Sequence, residues 1–137
     1  MMTAKEYLSQ AWDSKMRIEA MKEQLAFLKS AATNISSHPT SSPVSGTKNI
    51  HKTEDAIIRF IDYEDQIKKQ YAKLDEITST INSVKDLTAQ VILIRRYLSR
   101  ERWNKIACTL YMSSAQVFRL HNEALAEIEK LIANESK

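Results

Sequence analysis

Two stripes of apolar residues run along the first 87 positions and are interrupted once. Tyr7, Ala11, Ser14, Ile18, Met21, Leu25, Leu28, Ala32 and Ile35 recur at steps of four and three, the repeat of a coiled-coil seam with one polar and several small members. Thr3 and Glu6 stand ahead of that stripe at the spacing of a capping box, which predicts a helix start. The second stripe is Ile57, Phe60, Glu64, Ile67, Tyr71, Leu74, Ile77, Ile81 and Val84. Its helix is predicted to open at Thr53, with Glu54 and Asp55 in the first turn, where unpaired backbone N–H groups favour negative charge. Each arm spans about 45 Å at a rise of about 1.5 Å per residue. Arms of equal length predict a long antiparallel helical hairpin, coiled-coil-like in its seam.

The break between the arms carries the chain's strong helix breakers. Pro39, Pro43 and Gly46 all fall there, and 12 of the 15 residues from Thr33 to Thr47 are Ser, Thr, Asn, Pro or Gly. A flexible loop over 33–52 is therefore predicted inside a hairpin unit covering 1–87, with a second unit over 88–137. A two-helix hairpin has a seam but no closed core, so part of Trp12, Phe27, Phe60, Ile58 or Ile61 is expected to stay exposed unless a second chain covers it. A homodimer is the expected solution, with a monomer whose third section folds back over the hairpin as the alternative.

The second unit has the pattern of two short helices crossing at a tight turn. Ile106, Ala107 and Leu110 make one apolar face, and Ala107 is small enough to admit a second helix; Val117, Leu120, Ala124 and Leu125 repeat at helical spacing on the next. Ser113 and Gln116 form a second capping box, which starts that next helix at Ser114. The fold class is thus all-α, a hairpin followed by a carboxy-terminal helix-turn-helix. Ser114, Ala115, Phe118, Arg119 and Asn122 are left facing outward, the candidates for reading base edges in double-stranded DNA.

Charge supports that assignment independently. The 137 residues carry a net charge of +3, yet the first 87 hold 12 basic and 12 acidic side chains. Between Ala89 and Asn122 stand Arg95, Arg96, Arg100, Arg102, Lys105 and Arg119 against the single acid Glu101. Positive charge is concentrated beside the motif, and Arg95, Arg96, Arg100, Arg102, Lys105 and the cap Ser113 are the candidate phosphate contacts. With 43% hydrophobic and 27% charged residues the composition is that of a soluble globular or coiled-coil protein. The sequence has no apolar run of the roughly 18 residues needed to span a bilayer and opens without a basic-then-apolar leader, so no membrane partner and a cytoplasmic location are expected.

Catalysis finds little support. One glycine precludes a glycine-rich phosphate cradle, and His38, His51 and His121 with the lone Cys108 give no zinc spacing, so neither an enzyme nor a metal or other cofactor is expected. Asp62, Glu64 and Asp65 lie beside Arg59, Lys68 and Lys69 as solvated ion pairs do. Cys108 is expected half-buried in the first motif helix. Trp103 is expected to pack under the turn against Tyr97 and Leu98, and His121 to be a surface or half-buried histidine, with a phosphate contact as the alternative.

The segment with Val91 to Leu98, Trp103 to Ala107, Ser113, Val117, Ala124 and Leu125 resembles the carboxy-terminal helix-turn-helix of bacterial sigma factors, the region-4 type that binds the minus-35 element, over about 45 residues. The whole chain, including Met2 to Trp12 and Ser45 to His51, resembles short proteins encoded by phages and prophages of Gram-positive bacteria, similar to late-transcription regulators of the autolysin regulatory protein type. The resemblance implies a sequence-specific, DNA-binding transcriptional regulator of phage or prophage genes. It aligns Ser114, Ala115 and Arg119 with base-contacting positions, and Phe118 and Glu123 with flanking positions that are usually basic in the family. An apolar Phe118 on the outward face also suits a protein-interaction module that binds RNA polymerase or a regulator without direct DNA readout.

Overall fold

Helix α1, Ala4–Ser37, opens with the capping box read from the sequence: the Thr3 N–H donates to Glu6 Oε2 at 3.2 Å and the Glu6 N–H to Thr3 Oγ1 at 3.2 Å. It is followed by α2 (Gly46–Asn82), α3 (Leu87–Leu93), a π-helical turn over Ile94–Leu98, α4 (Trp103–Leu110) and α5 (Ser114–Glu135). The computed structural model describes the backbone of residues 2–37 and 46–135 and the side chains of 2–31 and 52–135. All regular structure among these residues is helical, and no described helix is long and apolar enough to cross a membrane.

Both long helices run further than the sequence pattern suggests. Residues 33–37 close α1 and 46–52 open α2, although a loop over 33–52 is the expectation from composition. The physical reason is that Ser, Thr and Asn are weak helix formers rather than breakers, while Gly46 stands at the first helical position, where its flexibility costs little. The remainder of that loop, with both prolines and His38, lies outside the described residues, as do the side chains of Ala32, Ile35 and His51.

The chain divides into two units. One comprises residues 1–15 and 72–137, and its core joins four helices: Ala4, Tyr7, Leu8 and Ala11 from α1, Ile77 and Ile81 from α2, Ala89 and Leu93 from α3, and Ala124 and Ile128 from α5, with Val84 between α2 and α3. The Tyr7 hydroxyl lies 3.1 Å from Thr80 Oγ1, pinning the start of α1 to the end of α2. Leu8, Ile77, Ile81, Leu93 and Ile128 are fully buried, each contributing about 1.5–3 kcal/mol of apolar burial. A second cluster, Ile92, Ile106, Ala107 and Val117, joins α3, α4 and α5 and is flanked by Trp103, Leu110, Met112 and Leu120.

The other unit, residues 16–71, is the rest of α1 and α2. Ile18 and Ile67 are its buried apolar residues among those described, and Lys22 Nζ stands 5.2 Å from the Tyr71 ring centroid. Met21, Leu25, Leu28, Phe60, Tyr63 and Gln70 are half-buried, whereas Phe27, Ile57, Ile58 and Ile61 are exposed. Along α2 the covered positions include 60, 63, 67, 70, 74, 77 and 81, so Ile57, Glu64 and Tyr71 of the expected stripe lie off the covered side. The expected stripe takes two steps of three in succession, from Tyr71 to Leu74 to Ile77; an unbroken alternation of three and four counted back from Ile77 lands on Gln70 and Tyr63 in place of Tyr71 and Glu64.

Candidate nucleic-acid interface

The connection into α3 is stapled by side chains. Asp86 Oδ1 accepts from the Thr88 N–H at 3.0 Å, and Gln90 Nε2 donates to the Val84 carbonyl at 2.6 Å and the Asn82 carbonyl at 3.2 Å, closing the end of α2. After α3 the helix widens by one residue: the Ser99 N–H bonds to the Ile94 carbonyl at 3.1 Å and the Glu101 N–H to the Arg95 carbonyl at 2.9 Å, with Arg100 in the left-handed conformation at φ 54°. The helix thus ends on a reversal carrying Arg95, Arg96, Arg100, Glu101 and Arg102.

Glu101 organises that reversal. Arg95 Nη1 donates to both Glu101 carboxylate oxygens at 3.1 Å, Lys105 Nζ stands 3.6 Å from Oε1, and Arg96 Nη1 donates to the Glu101 backbone carbonyl at 3.0 Å. The Arg96 guanidinium also covers the Trp103 ring at 4.6 Å. Arg100 leans away, 5.4 Å from the centre of the Trp12 ring on α1. The phosphate candidates therefore divide. Arg95, Arg96 and Lys105 have internal partners, while Arg100 and Arg102 are exposed and, among the described residues, form no ion pair.

Between α4 and α5 the chain turns in three residues. The Met112 N–H bonds to the Ala107 carbonyl at 3.0 Å and Tyr111 takes the left-handed conformation at φ 54°, a helix stop that glycine usually supplies. Ser113 then caps α5: its N–H donates to Gln116 Oε1 and the Gln116 N–H to Ser113 Oγ, both at 3.2 Å. Val117, His121, Ala124 and Ile128 point inward. Ser114, Ala115, Phe118, Arg119 and Asn122 all lie on the exposed side of α5, and Arg119 has no hydrogen bond or ion pair among the described residues.

Three aromatic and thiol placements differ from expectation. Trp103 packs not against Tyr97 and Leu98 but across the turn, 4.9 Å from the Phe118 ring and 4.7 Å edge-on from His121, because the covered face of α4 looks toward α5. His121 is only 2% exposed, stacked on Tyr97 with Nε2 at 2.8 Å from the Tyr97 hydroxyl, and so is out of reach of a phosphate. Cys108 is exposed, since Ile106 and Ala107 occupy the inward positions of α4. Burial, reinforced by the charges of Lys5 and Arg96 and opposed by a hydrogen bond with Asn122, lowers the His121 pKa to about 4. Burial also raises that of Tyr97, against the pull of Arg96.

Trp12 and Lys15 stand beside the basic segment, with Lys15 Nζ 3.5 Å from the Leu98 carbonyl. They sit on α1, at least 80 residues before Arg95, and in the sequence only the off-seam position of Trp12 sets either apart. No protein-family model, curated protein or solved structure matches this chain.

Proposed function

We propose that the chain is a sequence-specific DNA-binding transcriptional regulator, of phage or prophage genes, in which α4 and α5 act as a helix-turn-helix of the sigma region-4 type and α5 reads the major groove. The observation that carries this reading is Arg119, exposed and unpartnered on the same face as Ser114, Ala115, Phe118 and Asn122, directly after a capped helix start. A free guanidinium at that place is fit for a bidentate contact to guanine. Arg100, Arg102 and the Ser113 turn border that face in the sequence and suit phosphates, as the less available Arg95, Arg96 and Lys105 do in part. In this reading α1 and α2 would form an antiparallel hairpin that serves as the oligomerisation arm. Two copies pairing through the exposed Ile57, Ile58 and Ile61 would supply two reading helices for two half-sites.

The test is selection of bound fragments from random duplex DNA, followed by titration of the preferred site. Arg119→Ala is expected to weaken that site by about 1–3 kcal/mol and unrelated duplexes much less. An Arg119→Ala protein with unchanged affinity and sequence preference refutes base readout. That outcome would favour the second reading, a module that docks on RNA polymerase or a regulator, which draws on Phe118 at 42% and Tyr111 at 97% exposure.

A further inference from the structure

Trp12 carries two cations on one indole. Lys15 Nζ stands 5.6 Å from its ring centre and the Arg100 guanidinium 5.4 Å, and Lys15 also donates to the Leu98 carbonyl at 3.5 Å. Like charges gathered on one ring repel, and a carboxylate between them is the ordinary remedy. None is present: among the described residues neither Lys15 nor Arg100 forms an ion pair, and the segment's single acid, Glu101, already holds Arg95 and Lys105. The indole nonetheless faces both, and Lys15 also meets a backbone carbonyl at the end of the π turn. Arg100 is held there in a left-handed backbone conformation that disfavours any residue with a Cβ. Two unneutralised cations presented on one indole are contacts for anions supplied from outside.

We infer that α1 belongs to the DNA-binding surface: Lys15 and Arg100, presented on Trp12, each take a backbone phosphate of the duplex. The inference rests on the DNA-binding reading above and deepens it, adding a contact from the first helix to those of the carboxy-terminal segment. Trp12 is the positioning residue, and the two cations are the contacts. A phosphate contact of this kind is blind to sequence, so it adds affinity and salt dependence and leaves specificity to α5.

The test is a titration of the full-length chain with a duplex of random sequence at several salt concentrations between about 50 and 200 mM, beside Lys15→Gln and Arg100→Gly. Each substitution is expected to reduce the magnitude of the slope of log K against log salt by about 0.9, so that its deficit in affinity shrinks about threefold across that range. Arg100→Gly serves as the control for folding, because glycine relieves the left-handed strain: its thermal midpoint is expected to rise while its DNA binding falls. A wild-type chain that binds DNA, with Lys15→Gln keeping its slope, overturns the inference and leaves the DNA-binding reading standing. A wild-type chain that binds no duplex at all overturns both.

Discussion

The Tyr97 hydroxyl and His121 Nε2 meet at 2.8 Å beneath the crossing of α4 and α5, with the two rings stacked and the Trp103 edge closing the third side. A neutral imidazole suits this place and an imidazolium does not, since Lys5 and Arg96 add positive charge around a ring already shut away from water.

Stability should therefore depend on acid. The His121 pKa of about 4 in the folded chain lies below the ordinary 6.5, so on acidification the unfolded chain takes up this proton first. The contribution of the neutral ring is complete above about pH 6.5 and is lost as the pH falls toward about 4, amounting to about 2 kcal/mol by about pH 5. Denaturant titrations at about pH 7.5 and pH 5 should show that loss in the wild-type chain. His121→Gln, which has no proton to take up, should lose less over the same interval.

Tyr111 sits at φ 54° with its side chain 97% exposed, so it bears left-handed strain and gains no packing in return. Tyr111→Gly is expected to stabilise the fold by about 1 kcal/mol, visible as a higher thermal midpoint. A lower midpoint would show that the ring has a partner.

At the start of α5, Ser113→Ala removes one of the two reciprocal bonds of the capping box. The expected cost is about 1 kcal/mol of stability, measured by denaturant unfolding. Ser113→Asp keeps an acceptor at the cap and should recover most of it, while introducing a negative charge that weakens DNA binding.

Substitutions on α2 should separate core from surface. Ile77→Ala opens a cavity in the core beside Tyr7 and Leu8 and is expected to cost about 2–5 kcal/mol. Ile58→Glu and Ile61→Glu change exposed side chains, so their effect on the stability of one chain should stay within about 0.5 kcal/mol. If these isoleucines join two copies, the same pair of changes converts a dimer to a monomer in sedimentation; an unchanged sedimentation coefficient refutes pairing through this face.

The long-range order of the chain was legible wherever one local rule governed it. The α1 seam from Tyr7 to Leu28, the box at Thr3 and Glu6, and the start of α5 behind Ser113 are all fixed by neighbours within four residues, and each is found at its expected place. The seam of α2 was harder to phase. Tyr63 and Gln70 lie on its covered side and Tyr71 on its open side, and amphipathic side chains of this kind read equally well as either. The site was legible as a face of α5 and as a block of positive charge, but not as a set of partnerships. The meeting of Arg100 with Trp12, and of Trp103 with Phe118, depends on how helices distant in sequence cross, and no spacing encodes it.

The π turn over Ile94–Leu98 amounts to one surplus residue in an otherwise regular helix. An α-helix advances about 100° per residue, so the surplus rotates everything after it by that angle relative to α3. Neighbouring Arg95 and Arg96 are thereby steered to different atoms of Glu101, and Tyr97 is brought round to His121. The segment is consequently intolerant of changes in length: shortening it by one residue would restore a regular helix and turn Tyr97 off the histidine. Relatives sharing this arrangement should keep the number of residues between Leu93 and Trp103.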